Sequence, residues 1–161
     1  DDEVGKLYKK NKKIFNKLKR ALPKYIYSFP INKNEISNAI LSKKSNLKKI
    51  VKIVHLEIRK KMNIFLKKNI NKKIVILDIP LLLENKINKK NDILIFIQSK
   101  KSDISQRLRK RENFNQKLLS TFKNIQLPPD YKKKRSQFII KNDFTKKSVK
   151  IAVRKIIKEI L

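Results

Sequence analysis

The sequence predicts an α/β protein of three layers, a parallel sheet flanked by helices, in one domain spanning residues 1–161. Two observations lead there. Short β-branched runs, KIVILDI from Lys73 and DILIFIQ from Asp92, are apolar at successive positions, as strands covered on both faces by helices are. Between and around them, apolar residues recur at helical spacing, so strands and helices alternate along the chain.

Residues 1–22 place Val4, Leu7, Ile14, Leu18 and Leu22 on roughly one helical face before Pro23 ends the pattern. PKYIYSFPINKN, with two prolines and three aromatics, suits an irregular connection. From Asn46 to Leu66 a stripe of Leu47, Ile50, Val51, Val54, Ile58, Met62 and Phe65 predicts a helix against a core. Strands are expected near 73–78, 92–98 and 137–141, helices over 103–112, 116–125 and 144–160, with Pro128 and Pro129 as a break. Phe15, Phe65 and Phe96 fall on expected core positions.

Composition bounds the function. The 44 Lys and Arg against 13 Asp and Glu give a net charge of +31, which taken alone suggests a polyanion binder. The charges are spread along the chain, and the excess is lysine accompanied by isoleucine and asparagine, the residues of A+T-rich codons. Drift in base composition accounts for that enrichment without any partner, so nucleic acid is expected to bind only non-specifically, through net positive charge. The chain has no cysteine and one histidine, which excludes thiolate metal sites and makes a His-based one unexpected. No apolar run approaches the roughly 18 residues of a membrane span, so no membrane contact is expected and the location expected is cytoplasmic.

In parallel sheets ligands gather at the carboxyl ends of the strands. Asp78 ends the first predicted strand, where a carboxylate reaches a metal or a substrate hydroxyl, and Pro80 turns the chain away. An aspartate there equally suits a helix cap. Spacing alone leaves both readings open.

The segment VILDIPLLLENKINKKNDILIFIQ resembles that of dephospho-coenzyme A kinases, in which a hydrophobic strand ends in an acid followed by Pro-Leu-Leu and Glu. The resemblance extends over essentially the whole chain, in order. IVHLEIR is similar to the family's His-Pro-x-Ile-Arg, with Leu56 in the proline's place, and SQRLRKR is similar to R-L-x-x-R. IQLPPDYKKKRSQFIIKN resembles a Q-x-P element, then a lysine and a strand ending in asparagine; DDEVGKL resembles the end of an Asp-Ala-Asp-x-Ile-Ala motif.

The resemblance implies a P-loop kinase-like fold with a helical acceptor-binding region over about 14–68 and a lid over about 103–135. It implies ATP with Mg²⁺, and dephospho-coenzyme A as the acceptor through its ribose 3′-hydroxyl. Asp1 matches the catalytic aspartate, a base or magnesium-side carboxylate, although a helix-terminal charge explains it as well. His55 and Arg59, one helical turn apart, then belong to the acceptor pocket with Asp78, Pro80 and Glu84. Glu84 either anchors its turn or contacts the acceptor. Arg107 and Arg111, four apart and expected on one helix face, match the lid arginines over ATP, and Asn142 lies where the adenine is held. Gln126 and Lys132 match in type. No metal ligand is assigned.

Gly5 is the single glycine, so the sequence holds no G-x-x-x-x-G-K-[ST] loop, and the 161 residues alone are expected to be inactive. Two further departures stand out: Ile36-Ser37-Asn38 replaces the family's Leu-Asp-Arg, and Ser136-Gln137 replaces Ala-Asp. The alternatives are another small P-loop kinase of the nucleoside monophosphate type, or a basic nucleic-acid-binding protein.

Overall fold

The computed structural model describes residues 2–112 and 114–161. Their contacts divide into two compact units, one running to Pro80 and one starting at Leu81.

The first unit is helical. Helix α1 (Asp2–Lys10) and helix α2 (Lys12–Ala21) replace the single helix expected over 1–22. The break is at Asn11, whose backbone is extended and whose Oδ1 accepts from Ile14 N–H. A short polar side chain that satisfies a helix start competes with helix continuation there. The apolar face survives the break, because Leu7, Ile14, Leu18 and Leu22 are all buried.

Helix α3 (Lys33–Ser42), capped by Asn32, leads into helix α4 (Lys44–Lys68), and the buried Asn46 side chain donates to Ala39 O at 2.9 Å across that corner. Helix α4 packs on α1, α2 and α3 through the predicted stripe, with Leu47, Ile50 and Val54 buried. Beyond Val54 the stripe loses its cover, and Phe65, an expected core residue, is 48% exposed. At 25 residues α4 outruns its three partners of 9 to 10 residues each.

Residues 74–79 carry no ladder, so the strand expected at 73–78 is not formed among the described residues, and Ile76 is 82% exposed. Local β-propensity does not make a strand without a partner to pair with.

The second unit holds the sheet. Strand β1 (Ile95–Gln98) and strand β2 (Phe138–Lys141) pair in parallel, with Ile95 opposite Phe138 and Gln98 opposite Lys141. The β1 strand expected from 92 starts later because Asp92 Oδ2 accepts from Lys89 N–H and closes a turn. Gln137 opens the ladder: its Oε1 accepts from Leu94 N–H at 2.8 Å while its own N–H donates to Leu94 O. Helix α5 (Lys101–Arg109), helix α6 (Gln116–Lys123) and helix α7 (Pro129–Arg135) lie between the strands in sequence. Pro129 starts α7 rather than interrupting the chain, as suits a residue with no N–H to lose in the first turn. Helix α8 (Lys146–Ile160) packs on β2, with Ile140 and Ile156 buried. No described helix is long and apolar enough to cross a membrane.

Candidate functional site

In the second unit, groups expected to handle a nucleotide meet at the carboxyl ends of β1 and β2. Asn142 follows β2 directly, and its N–H donates to Gln98 O at 2.8 Å, extending the ladder by one rung. Its Oδ1 accepts from Phe144 N–H at 2.8 Å. Asp143 Oδ1 accepts from Thr145 N–H at 2.9 Å and from the hydroxyls of Thr145 and Ser148, so the loop is tied to the start of α8. These bonds hold the Asp143 carboxyl down at about 2. Arg107, on α5, lays its guanidinium over the Phe144 ring with Cζ 4.4 Å from the centroid. Sequence reasoning did not single out Phe144; nothing local in KNDFTKK marks an aromatic that receives an arginine.

Arg111 does not share the helix face of Arg107. Helix α5 ends at Arg109, and Arg111 lies beyond it, its N–H donating to Leu108 O. Lys110 and Arg111 add like charge beside Arg107 and Arg109 with no apolar residue to bury, so little favours another helical turn.

Glu84 sits in the turn after Pro80. The turn is wound tightly: Leu81 (φ 56°) and Lys86 (φ 50°) are left-handed, and Asn85 donates to Leu81 O from both its N–H and its Nδ2. Glu84 Oε1 accepts from Leu127 N–H at 2.9 Å and pairs with Lys132 Nζ at 2.6 Å, its side chain only 9% exposed. Burial pushes the carboxyl up, but these bonds outweigh it and leave its pKa below the usual value. Of the two roles open to Glu84, the turn anchor is the one its partners support. Lys132 acquires its role from the same pair.

In the first unit, His55 and Arg59 lie one turn apart on α4, His55 half-buried and Arg59 exposed. Burial, and then the charge of Arg59, lower the imidazole's pKa, so the ring is neutral at physiological pH. Asp78 and Pro80 are exposed, on the stretch without regular structure. Asp1 lies outside the described residues. Glu35, which sequence reasoning passed over, is buried and gathers the 27–30 loop: its carboxylate accepts from Tyr27 N–H at 2.9 Å, Ser28 N–H at 3.3 Å and the Ser28 hydroxyl. Among the described residues no three His, Cys, Asp or Glu gather as a metal would require.

Two parallel strands whose carboxyl ends lead toward a helix bearing Arg107 and a loop opened by Asn142 make this unit an α/β arrangement, the kind that gathers ligands at that edge of the sheet. A family model described as dephospho-CoA kinase matches residues 2–148. The chain is 32% identical over 156 residues to a dephospho-CoA kinase of Wolbachia sp. subsp. Brugia malayi (strain TRS), covering 96% of this chain and 80% of that one. It is 30% identical over 159 residues to that of Wolbachia pipientis wMel (98% and 81% covered), and 30% over 142 residues to that of Bartonella quintana (strain Toulouse) (87% and 72%). The chain belongs to the dephospho-CoA kinase family.

Proposed function

We propose that this protein transfers the γ-phosphoryl group of ATP to the ribose 3′-hydroxyl of dephospho-CoA. The observation that carries this reading is the family match across residues 2–148. The contact of Arg107 with the Phe144 ring in the loop that Asn142 opens supports a nucleotide-side place for Arg107 within it. The acceptor oxygen forms a bond to the γ-phosphorus as the bond to the β-bridging oxygen breaks, ADP leaves, and the hydroxyl proton passes to a base, the role assigned to Asp1.

Arg107 offers planar N–H donors to the phosphates from beside the Asn142 loop, and Arg111 adds charge from beyond α5. Asn142 shapes the nucleotide end of the sheet. On the acceptor side, His55 and Arg59 supply a neutral imidazole and a guanidinium suited to a ribose and its phosphate. Asp78 and Pro80 complete that side, and Glu84 holds the turn that follows. Mg²⁺, when bound, would neutralise charge on the ATP phosphates, and Asp1 is the carboxylate that would stand on its side. Residues 14–68 would form the acceptor region and 103–135 the lid of a three-layer kinase fold. A cytoplasmic location suits coenzyme A synthesis.

The test is to express the complete reading frame and incubate the protein with Mg-ATP and dephospho-CoA, reading product by mass. Coenzyme A is expected, alongside oligonucleotide binding that is weak, roughly 10⁻⁴ to 10⁻⁶ M, and lost steeply with salt. No coenzyme A, together with tight oligonucleotide binding that persists at high salt, overturns the assignment in favour of a nucleic-acid binder.

A further inference from the structure

We propose that Phe144 is a positioning residue for Arg107, holding its guanidinium in the place from which it meets the nucleotide phosphates; this rests on the nucleotide role given to Arg107 above. Three independent observations carry it.

The first is the stack itself, with Cζ of Arg107 4.4 Å from the ring centroid. An arginine side chain has several rotatable bonds, and ordering them in a catalytic pose costs entropy at the moment of reaction. Contact with an aromatic face removes part of that cost beforehand. A carboxylate partner would occupy the guanidinium's N–H donors, and among the described residues Arg107 has none within 4.0 Å. Phe144 therefore restrains the head of Arg107 while no described carboxylate competes for its donors.

The second observation is the backbone beneath the ring. Phe144 has φ 64°, a left-handed conformation that residues other than Gly, Asn and Asp rarely adopt. A bulky aromatic in that region marks a place where the surroundings impose a conformation the residue does not favour, and such places concentrate at functional sites.

The third is that both members are rooted in one sheet. Arg107 is on the helix that follows β1 after Ser99 and Lys100, and Phe144 is three residues past β2. The Asn142 rung to Gln98, the Asn142 bond to Phe144 N–H and the Asp143 bonds to Thr145 and Ser148 fix the loop at both ends. The Asn142 Oδ1, accepting from Phe144 N–H, ties the backbone under the ring to the end of β2.

The decisive variant is Phe144→Gly in the product of the complete reading frame. Glycine adopts φ 64° without penalty, which offsets part of the packing lost with the ring, so the variant should remain folded, as a thermal melt will show. Turnover should nonetheless drop roughly tenfold or more, the scale on which small misplacements of catalytic groups act, with KM for dephospho-CoA unchanged. Phe144→Tyr, which keeps the ring, should restore most of the turnover. In an Arg107→Ala background Phe144→Gly should cost nothing further, because the two residues act as one unit. Independently of activity, the Arg107 Nε–H resonance in ¹⁵N-arginine-labelled protein should show a ring-current shift that Phe144→Gly abolishes. If Arg107→Ala abolishes transfer while Phe144→Gly keeps full turnover, or if the wild-type resonance shows no ring-current shift, the positioning role is overturned and the Arg107 role survives. If Arg107→Ala itself retains full transfer, the nucleotide role of Arg107 falls first.

Discussion

Lys132 and Glu84, 48 residues apart in sequence, form an ion pair of 2.6 Å that fastens the turn after Pro80 to helix α7, with the Glu84 side chain 9% exposed. Because Leu127 N–H donates to the same carboxylate oxygen, one acid holds two separate segments.

Removing one partner should therefore cost more than removing both. Lys132→Met leaves the Glu84 carboxylate half-satisfied in a shielded site, and should destabilise the protein by about 1–3 kcal/mol in chemical denaturation. The double variant Glu84→Gln, Lys132→Met should lose less than the sum of the single changes. Additive losses would show that the pair is not coupled.

Glu35 sets a second expectation, at acid pH. Burial raises its pKa, but the hydrogen bonds from the Ser28 hydroxyl and the N–H groups of Tyr27 and Ser28 outweigh that and lower it overall. For an acid whose folded pKa is depressed, the stabilisation is fully present above the unfolded value of about 4.3 and drains away as pH falls through the folded pKa. Wild-type protein should lose stability steeply below about pH 4.5, and Glu35→Gln, stable to a lesser degree at neutral pH, should lose less over the same interval. Parallel acid curves for the two proteins would dismiss Glu35 as a contributor.

His55 is the single histidine of the chain, so its imidazole can be titrated by NMR without ambiguity. Its pKa should lie below the usual value of about 6.5, and Arg59→Ala should move it upward by removing the nearby positive charge. For a base with a depressed folded pKa, the unfolded chain takes the proton first. Stability linked to His55 is therefore complete above about pH 6.5 and declines as pH falls below it. A titration that Arg59→Ala leaves unmoved would separate the two residues.

Arg107 and Arg111 should differ when each is changed to lysine. Arg107 is stacked and Arg111 lies past the end of α5, so Arg107→Lys loses both the stack and the fork of donors while Arg111→Lys loses only the fork. Transfer should fall by roughly tenfold or more for Arg107→Lys and less for Arg111→Lys. Equal effects would mean that the helix boundary at Arg109 does not matter to the reaction.

Helical periodicity over residues 46–66 and the β-branched runs at 92–98 and 137–141 made α4, β1 and β2 visible in the sequence, the first through a stripe buried at Leu47, Ile50 and Val54 and the others through the preference of β-branched residues for paired extended backbone. The same logic failed at 73–78, where the pattern is present and the pairing is not. Asn11 broke a helix that its neighbours favour, since one side chain competing for a backbone N–H outweighs the average of a window. At the site, ordered motifs pointed to Arg107 and Asn142, whereas the Phe144 stack and the Glu84 to Lys132 pair join residues at least 37 apart in sequence and are set by tertiary packing alone.

The two-stranded sheet leaves β1 and β2 each with one side unpaired among the described residues, and Ile95, Ile97 and Ile139 stand exposed on them. Such strands invite edge-to-edge stacking between copies, the route to aggregates. Lys89, Lys90, Lys100 and Lys101 lie near β1 in sequence and Lys141 ends β2, and a chain carrying +31 repels its own copies wherever the Debye length reaches across the approach, about 10 Å at 0.1 M salt and about 3 Å at 1 M. Lysines placed beside such edges thus act as gatekeepers. Colloidal stability of this protein is tied to ionic strength, and concentrated salt removes the protection that dilute buffer leaves in place.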